Sequence, residues 1–391
     1  MIDPDSRSLF PFKRGLVYLD HGSYGVTPKK VMQARAKHLR RIEKAPRKFF
    51  TCEYRPAWHA TRALVARRFS VVEGNLALIE NATEGINAVL RSFPFQSGDE
   101  ILTTTLTYGA IRNAATYIAR VNGAKVVQAD LRFPDASPEQ CLDAIRKAIT
   151  PRTKLAILDH ITSSTGLVLP VVEMTKICRE HDVAVVVDAA HAPGQVAVDI
   201  NSIQADWYVA NLHKWYFVPR GCGFLWAAPS RQDMLAPPVL SWDIGEKFPD
   251  RFDWSGTRDP TPWLSIPEAF AFMDQFGEGK VRAHNHQLVL AGAALLARAW
   301  NVKVAIPESM IGSMVLVPLP EDLPYSPDEQ GRLRLEADLA TKFNIICSVP
   351  FFSKSHLYIR IAASIYNEVN DFEELGRAVN SIRKKNKLSD A

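Results

Sequence analysis

The sequence predicts an α/β fold: a three-layer, doubly wound and mainly parallel sheet, followed by a smaller α+β C-terminal domain. Three observations predict it. Between Leu76 and Trp226, apolar runs of strand length alternate with helical patterns at the spacing of βαβ units, the signature of a parallel sheet. Val183 to Val187 is a continuous apolar run that ends in Asp188, and such a run fits a strand covered on both faces. Asp206-Trp207-Tyr208-Val209 reads as another short buried strand. It leads through Ala210-Asn211-Leu212-His213 to Lys214, just before the glycine-containing run Pro219 to Gly223. Ligands in such sheets sit beyond the carboxyl ends of the strands, so Asp188 and Lys214 fall where a ligand binds.

Composition sets the frame. A chain of 391 residues suffices for two domains, or for one large and one small lobe. Its 47% apolar and 23% charged residues are ordinary for a soluble enzyme. No apolar run is long enough to span a membrane, and Met1 to Asp5 lacks the basic start and apolar stretch of a signal peptide. Five scattered cysteines, without a C-x-x-C pair, predict neither a zinc site nor a disulfide framework. No metal is expected, and a reducing cytoplasm is the simplest compartment. The net charge of +5 is modest. The basic run from Lys29 to Lys48 has Val31, Met32, Leu39 and Ile42 interleaved, which predicts an amphipathic helix with a solvated basic face rather than a nucleic-acid surface.

The elements follow in order. Val17-Tyr18-Leu19 begins a strand that turns at Gly22 and Gly25. Pro46 breaks the first helix, and Phe49 and Phe50 belong to the core or an interface. Residues 55–71 form a second helix. Leu76 to Glu80 is a strand, Asn81 to Gly85 a turn, and a helix continues through Ile86, Val89 and Leu90. Small and hydroxyl residues at a helix start make an anion site, because free N–H groups and the helix dipole point outward. Thr83 equally serves as a plain cap.

Strands are expected at Glu100–Thr105, Ala124–Gln128 and Thr153–Leu158, and a helix at Pro138–Ile149. The loop from Asp159 to Gly166 is rich in hydroxyls, and His160 takes a structural, hydrogen-bonded role. Gly223 to Trp226 closes the large domain, Ser255 to Asp259 is a polar turn, and a long helical region starts at Pro262. Near the end, Tyr358-Ile359-Arg360-Ile361 sets one arginine inside an apolar strand. That arginine needs an anion: a substrate carboxylate, held with two planar bonds, or an internal salt bridge. Arg383 to Lys387 reads as a frayed tail.

A lysine in a partly desolvated pocket loses basicity and can form a Schiff base with an aldehyde. A carboxylate such as Asp188 is the partner that a pyridoxal phosphate ring nitrogen needs, although it could also be a helix cap. The ordered set of motifs decides between these readings. Leu19 to Gly25, Pro46 to Phe50, Asn81 to Asn87, Tyr108-Gly109-Ala110, Asp188 to Gly194 and His213-Lys214-Trp215 together resemble the fold-type I, class V aminotransferase family. Within it the chain is similar to the isopenicillin N epimerase-like branch, with cysteine desulfurases and other C–S lyases as relatives.

The resemblance implies a pyridoxal 5'-phosphate enzyme with Lys214 as the catalytic lysine. It places the cofactor phosphate on the backbone around Ala82, Thr83 and Glu84. Tyr108 stacks on the ring, Asp188 meets the ring nitrogen, and Ser163 stands where desulfurases often have an asparagine. His191, Asn211 and His213 complete the cofactor shell. Arg360 holds the substrate carboxylate, with Ser23 and Tyr24 on the substrate side. Thr257 reaches the phosphate of a neighbouring subunit, so a homodimer with shared active sites follows.

The large cofactor-binding domain is expected over 26–264, with 1–25 and 265–391 forming an N-terminal arm and small domain. The reaction acts at the α-carbon of an amino acid or peptide, as epimerisation, C–S (β-)lysis or transamination. A non-catalytic binding protein on the same fold is the alternative outside enzymes. The family's persulfide loop falls at Pro350 to Lys354, which contains no cysteine, and Cys347 is read as buried.

Overall fold

A computed structural model describes residues 4–351 and 355–389. Strand β1 (Val17–Tyr18) belongs to the N-terminal arm. The main sheet has seven strands: β2 (Leu76–Ile79), β3 (Glu100–Thr104), β4 (Lys125–Ala129), β5 (Thr153–Asp159), β6 (Ala184–Ala189), β7 (Trp207–Asn211) and β8 (Gly223–Ala227). Their spatial order is β2-β8-β7-β6-β5-β3-β4. Every pairing is parallel except the two made by β8, which runs antiparallel to both β2 and β7. The expected α/β fold is present. β8, the last strand of this sheet along the chain, lies inside it between β2 and β7.

The sheet's chemistry follows from its burial. Every residue of β2, β5 to β8 and β3 is buried except Lys154, which explains the continuous apolar runs. Apolar clusters on both faces, one including Leu158, Val187 and Tyr208 and the other Ile157, Val186 and Val209, give the three layers. Because β5, β6 and β7 are parallel and in register, their carboxyl ends carry Asp159, Asp188 and Asn211 to one edge.

The C-terminal part adds β9 (Met314–Pro318), β10 (Ile345–Ile346) and β11 (Tyr358–Ala362). β11 pairs antiparallel with β9, and β10 pairs parallel with β1 of the N-terminal arm. The arm is therefore stitched to the far end of the sequence. The supposed frayed tail is helical: a helix runs Val369–Ser389 and includes Arg383 to Lys387. Its apolar residues Phe372, Leu375, Val379 and Ile382 are buried, so packing overrides the polar end.

Candidate active site

The site grows from the strand ends. Helix Ala82–Ser92 follows β2, and Asn81 caps it by accepting the Glu84 N–H at 3.0 Å. Gly85 lets its first turn lie on β7, since a Cβ there would meet Val209 at 2.5 Å. From the end of β7, Asn211 Oδ1 accepts the Ala82 N–H at 2.8 Å. Of the amides expected to hold an anion, Ala82 and Glu84 are thus engaged by side chains. The Thr83 N–H has no acceptor among the described residues, and Thr83 lines the cavity.

Lys214 follows β7 in the loop before β8. The N-terminal arm holds its backbone from behind. Gly25 has φ +63°, and a Cβ there would lie 2.0 Å from the His213 carbonyl oxygen and 2.8 Å from that of Lys214. Only glycine permits that approach. His21 lies behind the loop too, packed on Trp215 at 5.0 Å and paired through Nδ1 with the Tyr366 hydroxyl at 2.9 Å.

In front, Lys214 Nζ donates to His191 Nε2 at 2.8 Å. Burial lowers the Lys214 ammonium to about 8, against the attraction of Asp188. Burial also holds His191 well below its usual range, with Lys214 adding to the effect, so His191 is a neutral acceptor. Its Nδ1 is buried without a partner. His213 donates from Nδ1 to the Cys222 carbonyl at 3.0 Å, and burial lowers it to about 4.

Asp188 is buried at the end of β6. Burial raises its carboxyl, while the Ala190 N–H at 3.0 Å and the Lys214 charge pull it down. His160 pairs with the Tyr208 hydroxyl at 3.0 Å, a structural role.

Arg360 on β11 is buried and already has an internal carboxylate: its Nη2 donates to Asp20 Oδ1 at 2.9 Å. Ser23 Oγ also accepts from Nη2 and donates to Asp20 at 2.7 Å. Nη1 donates to the Ser163 carbonyl, and Nε is buried without a partner. The internal salt bridge, one of the two readings of this arginine, is present.

These groups surround a cavity of about 640 Å³. Among the expected residues, Ser23, Tyr24, Ala82, Thr83, Tyr108, Ser163, Asp188, His191, Asn211, His213, Lys214 and Arg360 line it. Glu84 does not, because its carboxylate turns back to accept the Glu80 N–H at 2.6 Å. Thr257 is exposed and lies away from this chain's cavity. Among the further lining residues, three charged ones were not expected at the site: Asp159, Arg220 and Arg332. Asp159 had a signal, the same apolar run ending in an acid that marked Asp188. Arg332 sits on helix Glu329–Phe343, which carries no motif.

The cavity suits a phosphorylated aldehyde. Lys214 with its amine of lowered basicity, the buried carboxylate residue Asp188, Thr83 with its free helix-start N–H, and His191 all line one chamber. Arg220, Arg332 and Arg360 also line it, Arg360 paired with Asp20 and Arg332 with Glu329 and Glu336.

The family model for aminotransferase class-V matches residues 17–374. The chain belongs to this family. It is a pyridoxal-phosphate-dependent enzyme. It is 34% identical to a putative L-cysteine desulfhydrase of Oryza sativa subsp. japonica, over 94% of this chain and 83% of the rice protein. It is 30% identical to isopenicillin N epimerase of Streptomyces clavuligerus, over 94% of this chain and 95% of that enzyme. In fold it is similar to a cystine C–S lyase solved with its product cysteine persulfide, with a TM-score of 0.82, 20% identity, and 95% and 99% of the two chains covered. A variant of that lyase, solved with glycine covalently linked to the pyridoxal phosphate cofactor, matches with a TM-score of 0.81 and 21% identity, over 96% and 99% of the two chains.

Metal-ligating side chains gather in one place among the described residues, at His59, Asp250 and Asp253. Asp253 Oδ1 accepts from Trp58 Nε1 and Oδ2 pairs with His59, while Arg62 bridges both acids. The cluster is a closed ion-pair network. No described helix is long and apolar enough to cross a membrane.

Proposed function

We propose that the enzyme removes the α-proton of an L-cysteine-type amino acid and expels its β-sulfur, a C–S lyase reaction. Bound pyridoxal phosphate supplies an electron sink for the charge left at the α-carbon. The observation that carries the reading is Lys214: the one aliphatic amine among the described lining residues, lowered to about 8 and held by neutral His191. An amine so poised serves as both cofactor anchor and general base. Elimination needs only that base. The Cα–H bond breaks to Lys214, the Cβ–S bond breaks, and the sulfur leaves with a proton. With L-cysteine and one water, the products are sulfide, pyruvate and ammonia.

Other residues take supporting roles. Asp188 offers the buried carboxylate for the ring nitrogen, Thr83 the free amide for the phosphate, and Tyr108 a ring face. Ser163, His191, Asn211 and His213 shape the cofactor shell. Arg360, with Ser23, receives the substrate carboxylate through its free Nε and by loosening from Asp20. Tyr24 borders the entrance. Thr257, exposed on its own chain, completes the site of a second copy in a homodimer.

Cysteine placement supports release of sulfur over its capture. Cys347 is buried and its thiol is pushed well up by burial. No cysteine lines the described cavity. The segment Phe352 to Lys354 lies outside the described residues and holds no cysteine. The five free thiols suit a reducing cytoplasm.

Epimerisation is the second reading. The phenols of Tyr24 and Tyr108 stand at the open side of the cavity, 67% and 44% exposed, where a second proton donor is needed. The deciding assay offers L-cysteine and L-alanine in deuterated water. Lysis predicts pyruvate and sulfide from cysteine. Deuterated D-alanine with no sulfide from cysteine selects epimerisation instead.

A further inference from the structure

The cavity holds a second acid that the roles above do not use. Asp159 ends β5 as the direct neighbour of Asp188 on β6, and the two are Cα partners in the parallel ladder. Asp159 is 1% exposed, lines the cavity, and its Oδ2 has no hydrogen-bond partner among the described residues. We propose that Asp159 is a cofactor-contacting residue: a carboxyl that keeps its proton and donates a hydrogen bond from Oδ2 to the bound pyridoxal phosphate.

Two buried carboxyls side by side do not both ionise, because their like charges repel in a medium that cannot screen them. The single negative charge goes to the member with better partners. Asp188 has the Ala190 N–H and the Lys214 cation. Asp159 has the Thr107 hydroxyl and the Tyr108 N–H near it but no cation, and burial with Asp188 alongside drives its carboxyl well up. Tyr208 on β7 and His160 are paired with each other, and His160 stays neutral. His191 is neutral and engaged with Lys214. An ionised Asp159 would leave Oδ2 dry, without a hydrogen-bond partner or a counter-charge, which is strongly disfavoured. A protonated Asp159 instead has one O–H to give, and the cavity is the open direction.

Infrared difference spectroscopy of cofactor-free wild type against Asp159→Asn reads the proton directly. The substitution keeps shape and neutrality, and Asp188 is common to both proteins. At neutral pH the proposal expects the C=O stretch of a protonated, desolvated carboxylic acid in wild type, absent from the variant. Its absence from wild type overturns the proposal, whatever reaction the enzyme performs. Adding pyridoxal phosphate is expected to shift that band, because the O–H gains an acceptor; an unshifted band overturns donation to the cofactor. Asp159→Ala, which has no donor, should bind pyridoxal phosphate about tenfold more weakly than Asp159→Asn, which keeps an N–H donor. Equal affinities of these two variants would count against the hydrogen bond.

Discussion

Lys214 shows how position makes a reagent of an ordinary side chain. On the surface its ammonium would hold its proton; at the cavity floor burial lowers it to about 8. The neutral amine is the nucleophile toward an aldehyde. The rate at which cofactor-free protein takes up pyridoxal phosphate should therefore climb with pH through about 8 and level off above it. Stopped-flow absorbance checks this, and a rate flat from pH 6 to 9 would contradict it. Arg360 shows the opposite, a charge held by partners. Asp20→Asn leaves its buried guanidinium without a counter-ion and should cost about 3 kcal/mol of stability, measured by urea unfolding. Lys214 and Asp188 were legible because each follows an apolar strand. The Asp20–Arg360 pair was not, since its members stand 340 residues apart and pairing at that distance leaves no local pattern.

At the scale of elements, the N-terminal arm decides where the lysine stands. Its β1 strand pairs with β10, its Asp20 and Ser23 grip Arg360, and its Gly25 abuts the His213 and Lys214 carbonyls. Gly25→Ala puts a methyl group into a backbone oxygen, at a φ that alanine disfavours. The expected cost exceeds about 2 kcal/mol, with loss of cofactor retention beyond what instability explains. Gel filtration and the absorbance ratio of the folded fraction test it. The strands and their alternation with helices could be read from apolar runs. The antiparallel insertion of β8 could not, because a buried strand has the same composition in either direction. The helical end at Arg383 was missed because its charged residues hid the buried spacing of Phe372, Leu375, Val379 and Ile382.

For the whole molecule, buried titratable groups set the response to pH. Burial lowers His21 to about 3 and His160 to about 4. Their stabilisation is complete above the unfolded value near 6.5 and is lost as pH falls toward the folded values. Between pH 6.5 and 5 each should cost about 1–2 kcal/mol. Asp159 acts in the opposite sense, because its raised carboxyl favours the folded state below about pH 4 and loses that benefit as pH rises. Asp159→Asn should therefore gain Tm relative to wild type on going from pH 4 to pH 7. A parallel pair of Tm curves would contradict this.

In the proposed function, Lys214 drives release of sulfur from a cysteine-type amino acid. The most direct measurement incubates holoenzyme and Lys214→Ala with L-cysteine and quantifies sulfide and pyruvate together. Equal amounts of both are expected from wild type and neither above background from the variant, which also loses covalent attachment of the cofactor. Undiminished sulfide release by Lys214→Ala, or inversion at the α-carbon with no sulfide from wild type, would contradict it.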